Sequence, residues 1–291
     1  MSTNAKYYLH GIQLPSGAWI TDLTDTTPAT NTQQIVEYAA GQFVPSFRGA
    51  HGARPEITFA TTQLKTILDA CGMTGVDYTG QSVYLYYRKA VNRGTRQAIA
   101  GAVHERILCR EAYLYWQRIS VSQGQLASID CRLLPTYDGT NAPLVATGSV
   151  AIPAQQVFSL PYVLGPVNFN TGGGLTQVPG LASWTLELNP TIDEEASDGE
   201  DFLSWAGCQQ HDPVLTCMPR DHSYWDSIGL DGLQLTGATF YARKRQADKT
   251  RVHANGQAEH IKFTAADNPC GMLTIEQSSG GVPDAAQVSL R

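Results

Sequence analysis

Tyr86-Tyr-Arg88-Lys89-Ala-Val-Asn-Arg-Gly-Thr95-Arg96 lies without a gap on Tyr241-Ala-Arg243-Lys244-Arg-Gln-Ala-Asp-Lys-Thr250-Arg251. Tyr, Arg, Lys, Thr and Arg recur at identical spacing, at an offset of 241 − 86 = 155 residues in a chain of 291. Self-similarity on the scale of half a chain indicates one fold written twice in tandem. Three further blocks keep the same order. Pro55-Glu-Ile57-Thr58-Phe59 matches Pro213-Val-Leu215-Thr216-Cys217, and Glu105-Arg-Ile107 matches Glu259-His-Ile261. Ala127-Ser-Ile129-Asp130 matches Leu273-Thr-Ile275-Glu276. The drifting offset is what loops of unequal length produce. The expected organisation is therefore two similar domains, 1–150 and 151–291.

The length allows each half its own core. With 26 acidic and 20 basic residues the formal net charge is −6, which argues against tight gripping of a nucleic-acid backbone. Charged residues are only 16% of the chain, typical of an ordered, β-rich protein rather than a disordered acidic one. Six cysteines, at 71, 109, 131, 208, 217 and 270, form no CxxC pair. The opening Met-Ser-Thr-Asn-Ala-Lys has no basic and apolar stretch of secretory type, and no apolar run approaches the ~20 residues that span a bilayer. Free thiols in a cytoplasmic setting are expected.

Along the chain, 5–20 reads as strand and turn, the Thr-, Asp- and Pro-rich 21–33 as a loop, 35–47 as a broken strand and 48–54 as a loop. Pro55 opens a strand. Leu64, Ile67, Leu68 and Cys71 have helical spacing, with a Thr N-cap before them and Gly72 as the stop. Val83-Tyr-Leu-Tyr-Tyr-Arg and Ala112-Tyr-Leu-Tyr-Trp are strands by their aromatic and branched content. Ala127, Ile129, Cys131 and Leu133 alternate with polar residues, as do Trp184, Leu186 and Leu188. A second short helix is expected at 222–228. The class is all-β with minor α: two tandem β-sandwich or small-barrel domains, each with a short flanking helix.

Candidate chemistry is sparse. Cys208-Gln-Gln-His211 with Cys217 and His222 offers four zinc-ligand types, but the spacing fits no familiar finger, and Cys217 falls where the first copy has the core residue Phe59. The acidic run Asp193-Glu-Glu195 and Asp198-Gly-Glu200-Asp201 lacks calcium-loop periodicity and reads as a solvated loop. No GxSxG, HExxH or GxxxxGK is present. No catalytic residue, cofactor or metal is expected, and the chain reads as no enzyme.

Three features resemble the major tail tube proteins of tailed bacteriophages. A Pro-led strand feeds a Thr-started helix, Pro55-Glu-Ile-Thr-Phe-Ala-Thr-Thr-Gln-Leu. Long aromatic strands joined by a basic loop follow over 83–121. The strand Ser183-Trp-Thr-Leu-Glu-Leu-Asn-Pro190 precedes a polar, acidic loop. The resemblance implies a virion structural protein that self-assembles into stacked rings around a channel for genome ejection, in a long non-contractile tail. The implied partners are further copies of the chain, a tape-measure protein, and tail terminator and tip proteins. The resemblance further implies that DNA passes through the lumen without specific binding, that no membrane is involved, and that assembly takes place in the cytoplasm of a host bacterium. Two domains per chain would let three chains fill six near-equivalent positions, a trimer with pseudo-sixfold symmetry. The alternatives are a tail-tip, distal-tail or hub ring of the same fold and, more remotely, a sandwich-type carbohydrate-binding or adhesion module using Trp116, Trp205, Tyr224 or Trp225. Both repeat copies fall where a strand runs into a basic loop. That makes Arg88, Lys89, Arg96, Arg243, Lys244 and Arg251 the subunit-contact candidates, since Arg pairs bidentately with carboxylates across interfaces.

Overall fold

A computed structural model of the chain describes residues 6–29, 31–37, 47–90, 104–151, 161–170, 175–177, 180–197, 200–219, 237–244, 261–267, 273–278 and 284–288. The elements run β1 (Lys6–Gln13), β2 (Trp19–Ile20), β3 (Leu23–Ala29), β4 (Thr32–Glu37), β5 (Phe47–Ala53), β6 (Glu56–Thr61), α1 (Leu64–Cys71), β7 (Val76–Asp77), β8 (Val83–Ala90), β9 (His104–Cys109), β10 (Glu111–Ser122), β11 (Ser128–Thr136) and β12 (Leu144–Val150). Then follow β13 (Tyr162–Asn170), β14 (Leu175–Gln177), β15 (Leu181–Glu187), β16 (Pro190–Glu195), β17 (Trp205–His211), β18 (Val214–Pro219), β19 (Gly237–Lys244), β20 (Ile261–Asp267), β21 (Leu273–Ser278) and β22 (Asp284–Val288). The protein is mostly β, as its composition requires.

Three large sheets organise the strands. The first-half sheet has the order β12-β9-β8-β1-β2, and the second-half sheet β14-β13-β19-β20-β21-β22. Between them in sequence terms stands a seven-stranded sheet with the path β18-β15-β10-β11-β6-β3, β7 pairing β10 off that path. Strands from both halves therefore share one sheet, joined where β10 pairs antiparallel with β15, Ile119 opposite Leu186. One apolar cluster runs from Ile12 through Trp116 and Trp184 to Phe263, so side chains of all three sheets pack together. A smaller cluster, Tyr113, Tyr115, Leu134, Leu203 and Ala206, lies under the β16–β17 hairpin. Both central tryptophans are fully buried and satisfy their indole N–H on backbone carbonyls: Trp116 donates to Gly72 at 2.7 Å, Trp184 to Tyr241 at 3.2 Å. That is the usual condition for burying a Trp.

The two halves follow one pairing plan. β1 pairs with β2 and β8, and β8 with β9; β13 pairs with β14 and β19, and β19 with β20. β3 pairs with β6 as β15 pairs with β18, and each pair encloses a hairpin, β4–β5 or β16–β17. Registers agree to the residue at the centre. Leu9 and Ile12 stand opposite Tyr87 and Leu85, with a bulge between them. Leu164 and Val167 stand opposite Ala242 and Phe240, again with a bulge between them. The offset there is the same 155 residues as in the Tyr-x-Arg-Lys repeat.

Several local expectations change. The 21–33 and 48–54 segments contribute strands β3, β4 and β5 rather than loops; an edge strand or hairpin needs no continuous apolar alternation, so its Thr, Pro and Gly content is tolerated. The α1 N-cap is Gln63, with no side-chain cap bond; its Oε1 instead accepts from the Thr21 N–H at 3.0 Å. Gly72 does end the helix, at φ 54°, a conformation that suits glycine. Ile107 faces Leu85 as Phe263 faces Phe240, so the third repeat block is offset by 156 rather than 154. A two-residue slip keeps every side chain on its own face, which hides it from pattern matching. The fourth block changes sheets: β11 lies between β10 and β6, whereas β21 pairs with β20 and β22. The acidic run lies partly in β16, with Asp193 and Glu194 half-buried there. The 222–228 helix lies outside the described residues.

Candidate assembly surface

Along β8, Val83 and Leu85 are buried in the main cluster and Tyr87 packs against it. Strand alternation then turns Tyr84, Tyr86 and Arg88 to the opposite face. The neighbouring strand sends Arg106 to that face, opposite Tyr86. The Arg106 guanidinium lies over the Tyr84 ring, 4.8 Å from its centroid. Trp19 packs against Tyr86 with ring centroids 5.0 Å apart, and the Tyr86 hydroxyl donates to Gln13 Oε1 at 3.3 Å. The result is an aromatic floor carrying two arginines. His104 joins them, and burial together with the Arg88 charge lowers its pKa. The second half repeats the arrangement in outline: Ala238, Phe240 and Ala242 enter the core, while Tyr241 and Arg243 alternate with them, Tyr241 opposite Lys262.

The basic residues divide into two groups. Arg54, Lys65, Arg110, Arg118 and Arg132 each have a carboxylate within 4 Å. Arg132 is held hardest, by two bonds to Glu56 at 2.5 and 2.6 Å and one to the Tyr115 hydroxyl at 2.7 Å. Burial works against that cation, but the Glu56 carboxylate and Tyr115 more than offset it, and its pKa rises. Arg88, Arg106 and Arg243 form no ion pair with a described residue. The Nε atoms of Arg88 and Arg106, like that of Arg110, are buried without a hydrogen-bond partner among the described residues. Buried donors are normally satisfied, so these side chains are incomplete among the described residues.

Of the expected contact residues, Arg88 and Arg243 thus occupy matching places on two separate sheets. Lys89 and Lys244 follow them in β8 and β19, opposite Tyr7 and Tyr162 in register. Arg96 and Arg251 lie outside the described residues. Arg106 and Lys262 escaped the sequence reading because they sit on the partner strands; only the register brings them beside the repeat.

The other clusters are less promising. Cys208 Sγ lies 3.4 Å from His211 Nδ1, but burial raises the thiol pKa and lowers that of the imidazole. Both are held neutral, the reverse of an activated thiolate–imidazolium pair. Cys217 belongs to β18 and packs against the main core instead, and burial pushes its thiol up to about 12. His222 lies outside the described residues, and among the described residues no group of three or more metal-ligating side chains occurs. Trp116 is core, which removes it from any sugar platform, whereas Trp205 is 43% exposed; Tyr224 and Trp225 lie outside the described residues. No described helix is long and apolar enough to cross a membrane.

Edges complete the surface. The seven-stranded sheet ends in β18 and β3, each paired on one side only among the described strands. The first-half sheet ends in β12, whose Ala146-Thr-Gly-Ser149 is exposed and uncharged. Unpaired strand edges are templates for another chain unless guarded. No protein-family model matches the chain, and no curated protein matches its sequence.

Proposed function

We propose that the protein is a structural subunit that assembles with copies of itself into stacked rings, the tail tube of a long-tailed, non-contractile bacteriophage. The observation that carries this reading is the doubled pairing plan around a sheet whose two edges no other described strand covers. A subunit built twice presents two near-equivalent faces, and head-to-tail contacts between such faces close into rings. Three chains supply six positions. Arg88, Arg106 and Arg243, which have no carboxylate partner among the described residues, add donors for a neighbour's acidic groups. The half-buried and exposed acids of β16 are of matching charge. The division into a 1–150 and a 151–291 unit belongs to the same proposal, as do a tape-measure protein in the lumen, terminator and tip proteins at the ends, and a virion location. The net charge of −6 suits a wall that DNA slides past.

Electron microscopy of the purified protein tests the proposal directly. Rings or tubes with three chains per ring are expected. Six full-length chains per ring would remove the pseudo-sixfold reading, and short, unstacked rings would favour a tail-tip or hub subunit. A monomer that binds glycans and never self-associates would overturn the proposal. Reversing Arg96 and Arg251 to Glu together should abolish assembly while the circular dichroism spectrum stays unchanged.

A further inference from the structure

The hairpins β4–β5 and β16–β17 are one element written twice. At an offset of 195 − 37 = 158 residues their registers coincide: Glu37 stands opposite Phe47 as Glu195 stands opposite Trp205. The register shift also falls at the same place, before Gln34 in one and before Ile192 in the other. A glycine follows each aromatic residue by two positions, Gly49 and Gly207. The residue opposite that glycine differs. It is Ile35 in the first hairpin and Asp193 in the second.

Ala206 is buried in the small cluster of Tyr113 and Leu203, and Ile192 and Cys208 pack on it. Strand alternation turns Trp205, Gly207, Asp193 and Glu195 to the opposite face. The exposed Trp205 indole leans along its own strand: a Cβ on Gly207 would lie 2.6 Å from ring atom Cζ2 and 2.7 Å from Cη2. The ring therefore stands between Glu195, across from Trp205, and Asp193, across from Gly207. Gln209 Nε2 donates to Asp193 Oδ2 at 2.8 Å and steadies that carboxylate. Glu194, on the inner face, takes Arg54. Asp193 and Glu195 form no ion pair with a described residue. Nor does the surrounding sequence offer a cation, since 133–219 holds nine Asp or Glu and no Lys or Arg.

We infer that this face docks an arginine-bearing segment of a different protein, the guanidinium seated on the Trp205 ring with its donors on Asp193 and Glu195. Trp is the best ring for a cation, and carboxylates beside it add to the attraction. Arginine suits the site better than lysine, because its planar fork stacks on an aromatic face and pairs with carboxylates at once. The chain's own basic runs occur twice, at 88–96 and 243–251, whereas the acidic indole face occurs once. A ligand made of those runs would call for a receptor in each half. Ile35 stands where the first half would need the acid, so the occupant is a separate chain bound once per subunit. The ring reading neither requires this surface nor supports it.

A fluorescein-labelled tetra-arginine peptide is the probe, with its uncharged citrulline counterpart as control. Fluorescence polarisation should show saturable binding of the arginine peptide, one per chain, and none of the citrulline peptide. Trp205→Ala keeps the net charge and removes an exposed ring. Circular dichroism should therefore stay unchanged while affinity falls about tenfold, the loss expected of a partly desolvated cation–π contact. Gly207→Ala keeps both charge and indole but displaces the ring, and should weaken binding in the same direction. Asp193→Ile, which installs the first-half residue, should weaken binding and reduce its salt dependence. Binding should persist in assembled protein. No binding to the unsubstituted chain, or equal affinity in Trp205→Ala, would reduce the surface to diffuse acidity and overturn the inference. Loss of binding on assembly would show another copy covering the face, and would overturn the assignment to a different protein.

Discussion

Leu85 and Phe240 stand at the same point of two sheets, each opposite an apolar residue just past a bulge and each followed by a Tyr at the next position and an Arg three positions on. Their surroundings differ. Leu85 faces Ile107 beside Cys109, a small aliphatic packing. Phe240 stacks on Phe263 with ring centroids 5.0 Å apart, and Trp184 meets both rings edge-on at 5.3 and 6.1 Å. The same hydrogen-bonding plan thus tolerates two unrelated fillings, because register is set by alternation and by the bulge while volume is set by what packs beneath. The aromatic side of the comparison is the one with most to lose. Trp184→Ala should cost about 3–5 kcal/mol, the range for removing a buried large aromatic, and Leu85→Ala should cost less. Because one apolar cluster joins all three sheets, both variants should shift a single cooperative transition followed by circular dichroism in denaturant. Two separate transitions would show that the halves melt independently.

The bulges offer a finer contrast. Gly165 lies in the second-half bulge, and a Cβ there would run into the Tyr241 carbonyl oxygen and lie 2.8 Å from the Tyr241 Cβ. Backbone cannot move aside as a side-chain tip can, so Gly165→Ala should destabilise by about 1–3 kcal/mol. Gly11 lies at the first-half bulge, but its nearest neighbours are the Ile20 carbonyl oxygen at 3.1 Å and the Trp19 ring at 3.3 Å. Gly11→Ala should cost about 0.5–1 kcal/mol, the low end for point substitutions. Equal costs in thermal melts would mean that the two bulges are alike in more than position.

Only part of this comparison was legible beforehand. The Tyr-x-Arg-Lys repeat located β8 and β19 because charged and aromatic residues carry identity as well as pattern. Leu9-His-Gly-Ile12 and Leu164-Gly-Pro-Val167 occupy equivalent places too, yet share little beyond apolar ends, which any strand supplies. The helix over 64–71 was readable from its spacing, since Leu64, Ile67, Leu68 and Cys71 all enter the core. Its cap was not, because Gln63 serves a long-range bond to Thr21 that local sequence does not announce. Arg88 and Arg243 were found from the repeat. That they have no carboxylate partner among the described residues, and that Arg106 and Lys262 stand beside their tyrosines, depends on cross-strand register. A strand such as β3, rich in Thr and carrying Pro28, reads as a loop because an edge needs no apolar alternation.

Each half also holds a histidine, His104 buried and His211 half-buried, whose pKa is lowered. Burial, then the Arg88 charge, lowers the pKa of His104; burial alone lowers that of His211. A folded-state pKa below the unfolded ~6.5 means that the unfolded chain binds more protons as pH falls through that value. Stability should therefore drop on acidification below about pH 6.5, by up to ~1.4 kcal/mol per pH unit for each histidine. His104→Gln should flatten the profile of the melting temperature between pH 7 and 5, and Arg88→Gln should flatten it partly. His211→Gln should act without any dependence on Arg88. If Arg88→Gln altered the two contributions equally, the first-half platform would not be the source of the difference.

The smallest effect lies where the halves touch through their hairpins. Arg54, just after β5, reaches Glu194 of β16 at 3.2 Å, with the two side chains 45% and 20% exposed. Solvent screens such a pair, and exposed ion pairs contribute about 0.2–1 kcal/mol. The backbone already holds this contact: the Ala53 N–H donates to the Asp201 carbonyl at 2.5 Å, and Ala53 and Phe202 form a parallel bridge. Arg132 and Glu56, less exposed and doubly bonded within the first half, form the internal standard. Double-mutant cycles to Ala should give a coupling for Arg54–Glu194 that is below ~1 kcal/mol and vanishes near 1 M salt, where the Debye length falls to about 3 Å. The Arg132–Glu56 coupling should be larger and persist, because its geometry is bidentate and partly desolvated. A salt-resistant Arg54–Glu194 coupling of equal size would place the hairpin contact on electrostatics rather than on the backbone bridge, and would make the two halves depend on each other at their rim as much as in their shared core.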